Sequence, residues 1–221
     1  GGMGLTGFIM QAALQLVRVP GPWLETESLP FDNLDAFFAL SDSSEQDWEH
    51  TVAWVDCVSG ARGRGIFMRA RTIDSGNRKA PAMRAKRMPV TPPLSLVNAA
   101  SLRAFNFAYF HKQRYFSGRS VQHYLPFSYP LDGIHDWNRM YGPKGFYQYQ
   151  SVVPRAAGVA ATQEMLAAIA ASGNGSFLAV LKTFGLRTAR GLMSFPMQGV
   201  TLALDFPKRG DATLRLFERL D

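Results

Sequence analysis

Polar side chains set inside apolar runs are the residues of this sequence best placed to do chemistry. Gln148 and Gln150 alternate within the run 146–153 (FYQYQSVV), so a strand there projects both from one face. Lys182 closes the apolar run Phe177–Leu181, and Trp54 sits in the run VAWV at 52–55. A lysine at the end of a buried strand, beside amides and an indole, suits an anionic or hydroxylated ligand. The plainer reading of Lys182 is a stem lying on apolar surface with its ammonium in water, and spacing alone leaves both open.

Other candidates are weaker. Asp132, Asp136 and Asp205 could each serve as a general acid or base, and nothing in their spacing chooses among them. Gly2-x-Gly4-x-x-Gly7, with Glu27 further along, has the form of a dinucleotide fingerprint. That fingerprint needs a strand before it and a helix N-terminus directly after, where backbone N–H groups meet the pyrophosphate. Phe8–Val19 has β-favouring ends and runs into Pro20, so it fits a strand as well as a helix, and a tight glycine turn near a ligand is the better reading. His50, His111, His123 and His135 form no HExxH or i, i+4 pair. The single cysteine, Cys57, excludes both an intrachain disulfide and a Cys-rich zinc site, so no metal is expected. No G-x-S-x-G elbow supports a serine hydrolase.

These residues need strands to hold them, and the chain offers strands twice over. In the first half, 22–28, 50–58 and 65–71 read as extended. Asp32 stands as N-cap to a helix carrying Leu34, Phe37 and Phe38 at helical spacing. The second half repeats the order: strand 146–153, an Ala-rich helix over 156–171 closed by Gly173, strands 176–182 and 200–206, then a helix over 212–220. Each half reads strand–helix–strand–strand. The expectation is an α+β fold, a large antiparallel sheet with helices on one face. Residues 94–145 are aromatic and turn-rich and receive no assignment.

At 221 residues and 47% hydrophobic composition the chain is globular rather than disordered. The net charge of +7 is concentrated. Nine basic residues and one acid lie between Arg62 and Arg87, and the proline-rich stretch 74–93 reads as a long loop. That loop is either a solvated surface or a lip that attracts anions. Phe67 is the only aromatic within the basic segment, which argues against a nucleic-acid-binding module. Residues 1–17 are uncharged, but glycines, Thr6, Gln11 and Gln15 interrupt them, so no transmembrane segment is expected. A cytoplasmic or peripheral membrane-associated location follows.

On these same residues the sequence resembles the FAD-dependent decaprenylphosphoryl-ribose 2-oxidases, within the vanillyl-alcohol-oxidase and sugar-lactone-oxidase superfamily. The matching segments run in family order: GGMGLTG (1–7), HTVAWVD (50–56), YPLD (129–132), WNRMYGPKGFYQYQ (137–150), SFLAVLKTFG (176–185), SFP (194–196) and LDFP (204–207). The resemblance implies that residues 1–19 are the last strand region of an FAD-binding domain, and 20–221 a substrate-binding cap domain, in a protein of about twice this length. It implies FAD as cofactor, with Gly2, Gly4, Thr6, Gly7, Phe8 and Ile9 beside it. It also implies hydride transfer from C2 of a polyprenyl-phosphopentose, giving a 2-keto sugar. Lys182 and Gln150 carry over as catalytic residues, and Trp54, Leu131, Phe146, Gln148, Phe184, Thr201 and Ala203 as substrate-binding ones. The mycobacterial members have Asn and Cys at the positions of Thr201 and Ala203, so cysteine-directed inhibition is not expected to transfer. Implied partners are the lipid-linked sugar, a separate NAD(P)H-dependent keto-reductase and a membrane surface met through the 62–87 segment. The alternative is an FAD-linked oxidase of a soluble sugar, aldonolactone or alcohol. The chain on its own is expected to be inactive.

Overall fold

The computed structural model describes residues 2, 4–81, 85–191 and 193–221; Arg84, part of the basic segment, falls outside them. Nine strands and five α-helices are described. They are β1 (Trp23–Phe31), α1 (Leu34–Ser44), β2 (His50–Val55), β3 (Gly65–Ile73), β4 (Lys86–Arg87), α2 (Ala99–Tyr115), β5 (Gly118–His123), α3 (Tyr124–Ser128), β6 (Ile134–His135), β7 (Phe146–Pro154), α4 (Gly158–Ser172), β8 (Ala179–Phe184), β9 (Gly199–Pro207) and α5 (Asp211–Leu220). Seven strands form one sheet in the order β5-β1-β3-β2-β8-β9-β7, antiparallel at every pairing. β4 and β6 form a separate parallel pair.

The doubled order read in the sequence becomes a symmetric arrangement. β1, β3, β2 lie side by side in one half, and β7, β9, β8 in the same relation in the other. The halves meet where β2 pairs antiparallel with β8. This is what a two-fold axis through that pair would produce.

Alternation sorts the sheet into two faces. Ala53, Val55, Phe67, Leu181, Leu202, Leu204 and Phe206 point to one side and form the main core with residues of α1, α4 and α5. Each such buried side chain contributes ~1.5–3 kcal/mol relative to exposure. On the opposite side lies a helix the sequence left unassigned. Phe110 and Tyr109 of α2 pack on Trp54, Ile66 and Met68. Helices therefore cover both faces, three on one and α2 on part of the other. α2 buries only Leu102, Asn106 and Phe110, a stripe at four-residue spacing, while Phe105, Phe107 and Tyr115 are exposed. Its aromatics surround the axis, which hid the helical period.

Local signals hold with one shift. α1 is capped by Asn33, whose side chain accepts from the Ala36 N–H at 2.8 Å. The expected cap, Asp32, instead takes a hydrogen bond from Arg114 at 3.3 Å. Both are competent acceptors, and the one that reaches the third turn donor wins. Gly173 ends α4 with φ 66°, the left-handed conformation for which glycine has no Cβ penalty.

The basic segment is not one loop of free charge. Arg69 donates to Glu27 across the β1–β3 pair, with Nε at 2.7 Å from Oε2, and lies 4.5 Å over the Trp48 ring. Arg71 donates to Glu25 at 2.7 Å. Arg64 makes two bonds, of 3.0 and 2.9 Å, to the buried Asp56. These three arginines lie in or beside β3, where alternation places them opposite acids of the neighbouring strand or turn. Residues 8–19 form neither helix nor strand and expose Phe8, Met10 and Leu14.

Candidate functional site

The strand register collects most of the candidate residues on the sheet face that carries α2. Gln150 pairs with Ala203, Ala203 with Val180, and Val180 with Trp54, so these four residues form one row across β7, β9, β8 and β2. In the next row Lys182 pairs with Thr201, and Thr201 with Val152. On the other side of the first row Gln148 pairs with Asp205. Lys182 and Gln150 stand two strand spacings and one row apart, ~12 Å, close enough for two long side chains to meet on one ligand.

Each polar group has a defined commitment. The Gln150 amide donates to the Thr201 hydroxyl at 3.1 Å, and that hydroxyl donates to the Ser151 carbonyl at 2.8 Å. With its nitrogen held, Gln150 keeps its carbonyl oxygen for an incoming donor. Trp54 is 3% exposed. Its indole N–H donates to the Phe177 carbonyl at 2.9 Å and its ring meets Tyr109 at 4.7 Å, so it contributes a flat wall. Ala203 adds a methyl to the same row. Lys182, Gln148 and Gln150 are exposed, and the strip they form is an open sheet surface.

The remaining candidates lie at its margins. Phe146 stacks among Trp137 and Tyr141, with ring centroids 5.2 and 4.6 Å away, and borders a cleft of about 420 Å³ with Asn138, Arg139 and Gly142. Phe184, two residues beyond Lys182, borders a cleft of about 260 Å³ with Trp48, Arg155 and Gln198. Leu131 sits in the 3-10 turn Pro130–Gly133, next to α3, and the register does not bring it to the strip.

Burial chooses among the aspartates. Asp132 is exposed, and Asp136 pairs with Arg87 and Arg139 at 3.4 and 3.7 Å. Asp205 is 4% exposed, and one of its carboxylate oxygens has no partner among the described residues. Burial pushes its pKa up to about 6, against the pull of a hydrogen bond from Gln148. Sequence spacing could not separate these three, because burial depends on strands far apart in the chain. Cys57 is fully buried, and that burial lifts its thiol to about 12. Among the described residues no cluster of His, Cys, Asp and Glu is arranged to hold a metal.

The glycine segment forms a tight turn at the start of the described chain. Leu5 N–H closes a turn on the Gly2 carbonyl at 2.8 Å. A Cβ on Gly2 would stand 1.9 Å from the Thr6 hydroxyl, and Gly4 has φ 74°. A side chain would fill this cradle, and exposed Phe8 and Ile9 follow it. The residues fit one wall of a flat, partly polar group such as a flavin. Glu27, which the dinucleotide fingerprint would place on a ribose, is taken by Arg69 and Arg119.

An antiparallel α+β unit with a polar strip on one sheet face is thus defined, preceded in the chain by a glycine turn suited to a flat ligand. Comparison with known proteins gives that unit a relative. The chain is 32% identical over 219 residues to decaprenylphosphoryl-beta-D-ribose oxidase of Mycolicibacterium smegmatis, covering 94% of this chain and 47% of that protein. The resemblance read from the motifs is therefore borne out along nearly the whole chain, which spans about half the length of this relative. Among solved structures, a berberine bridge enzyme variant described as a reticuline dehydrogenase aligns with a TM-score of 0.42 at 10% identity, covering 90% of this chain and 40% of that one. No family model matches the chain.

Proposed function

We propose that this chain is the sugar-binding part of an FAD-dependent oxidoreductase that oxidises C2 of a polyprenyl-phosphopentose. The observation that carries the reading is the meeting of Lys182, Gln150 and Gln148 on one open sheet face, at the positions the resemblance assigns to substrate. Residues 20–221 form the substrate-binding unit in this reading, and residues 1–19 belong to the FAD-binding part, with Gly2, Gly4, Thr6, Gly7, Phe8 and Ile9 beside the cofactor.

FAD, when bound, supplies the acceptor for the hydride that leaves the sugar carbon. The chain's own residues do the rest. Lys182 donates to the hydroxyl that is oxidised and stabilises the developing alkoxide, while the hydroxyl proton passes to solvent, to which the strip is open. The Gln150 carbonyl accepts from a neighbouring hydroxyl, its amide being held by Thr201. Ala203 gives the ring an apolar patch of floor, backed by Trp54, which is buried beneath α2. A phosphate on the same sugar is drawn by the basic-segment cations that pair with no acid among the described residues, Arg62 and Lys79 among them. The 2-keto product calls for a reductive step by a separate NAD(P)H-dependent enzyme.

The second reading, oxidation of a soluble sugar or aldonolactone, is favoured by one feature. Thr201 spends its hydroxyl on Gln150 and Ser151 and offers no amide to a lipid-linked pentose. Flavin bleaching in the whole flavoprotein distinguishes the two. Bleaching by polyprenyl-phosphopentose but not by free pentoses or aldonolactones is expected, and the reverse preference would replace the first reading with the second.

A further inference from the structure

We propose that Asp205 is a positioning residue for Gln148, holding the amide with its nitrogen turned inward and its carbonyl oxygen turned out to accept a substrate hydroxyl. The inference rests on the sugar-binding reading of the strip but concerns a residue that reading leaves idle. Asp205 stands directly across from Gln148 in the β7–β9 register. Its side chain shares the face of Thr201 and Ala203 yet is buried, with one carboxylate oxygen unpartnered. Gln148 is exposed, lies across the strand pair within reach of that carboxylate, and stands two residues from Gln150 on the same face.

The chemistry follows from what each group can donate. An ionised carboxylate only accepts, so Gln148 must present its NH₂ to Asp205 and its carbonyl to the open strip. A protonated Asp205 must donate, and its best acceptor is that same carbonyl, so the amide turns over and offers NH₂ outward. The neighbours do not interfere. Tyr141, from the turn Trp137–Tyr141, reaches the Asp205 carbonyl at 3.5 Å, and burial raises its hydroxyl far above neutrality. Ser176, before β8, accepts from the Asp205 N–H at 3.4 Å. Cys57, beyond β2, bonds to Ser176 and stays protonated to about 12. Among the described residues no cation pairs with Asp205. Its carboxyl therefore titrates within the range where enzymes work, with burial raising it to about 6.

The test uses the holoenzyme with polyprenyl-phosphopentose between pH 5 and 8. The wild type should show KM rising about tenfold as pH falls through 6, with kcat nearly constant, because one substrate hydrogen bond is exchanged for a mismatched one. Asp205→Asn, close to isosteric, should give a KM without that inflection. Selective ¹⁵N-glutamine labelling supplies a second readout, independent of turnover. The Gln148 side-chain amide, assigned through Gln148→Glu, should titrate with a midpoint near 6 in the wild type and stay flat in Asp205→Asn. An active enzyme whose KM profile and Gln148 resonance ignore the substitution would overturn the positioning role alone. A titrating Gln148 in a protein that oxidises no sugar would support the positioning and remove the sugar reading.

Discussion

Three residues, Gln150, Lys182 and Asp205, carry most of the proposed chemistry, and they differ in how far sequence could reveal them. Gln150 and Lys182 were legible because strand alternation is a local code: a polar side chain at the right parity announces its face. The role of Asp205 was not legible, since its burial is made by β7, β8 and the turn Trp137–Tyr141 together. That burial has a cost with a defined sign. The folded pKa of about 6 lies above the ordinary carboxylate value, so the folded state binds more protons between pH 4 and 6. Stability from this group is full below that window and declines as pH rises through it. Asp205→Asn should therefore be more stable than wild type at pH 7.5 by about 2–3 kcal/mol in urea unfolding, and equal to it below pH 4. A variant less stable at pH 7.5 would contradict the account. Cys57, buried and with its thiol raised to about 12, should resist iodoacetamide in the native chain and react on unfolding.

At the scale of elements, the repeated strand–helix–strand–strand order was readable from periodicity and caps. α2 was not, because its buried stripe is narrow and its exposed aromatics mimic core. The arginines of β3 show the same limit. In sequence they belong to a basic cluster; in the sheet their cross-strand partners decide their meaning. Arg69 is 16% exposed at its side chain and bonded to Glu27, whereas Arg71 is 44% exposed. Arg69→Ala should cost about 2–4 kcal/mol, since it leaves the largely buried Glu27 only the exposed Arg119 as partner, and Arg71→Ala less than about 1. Equal losses in denaturant titration would show that burial does not separate the two pairs. Gly65 marks another constraint on β3. A Cβ there would come 2.2 Å from the Trp54 carbonyl and 2.4 Å from the Phe31 ring. Gly65→Ala should therefore loosen the β2–β3 pair that seats Trp54.

For the molecule as a whole, the two related halves build one continuous sheet whose faces divide the labour. One face is the main core. The other is capped by α2 over β2 and β3 and by the Trp137–Tyr141 turn near Asp205, and the strip left open between them holds Lys182 and Gln150. The charge has a place in this arrangement once the paired arginines are set aside. Replacing Arg62, Lys79 and Lys86 by Glu should weaken association of the whole flavoprotein with anionic vesicles and flatten its salt dependence. Unchanged vesicle binding would remove the membrane role of that segment. In the proposed function Lys182 acts on the sugar and not on the fold or the cofactor. Anaerobic stopped-flow reduction of the bound flavin by polyprenyl-phosphopentose tests it most directly. Lys182→Ala should slow reduction by ~10²-fold or more while the visible spectrum of the bound flavin is unchanged. Reduction at the wild-type rate in that variant would contradict the account.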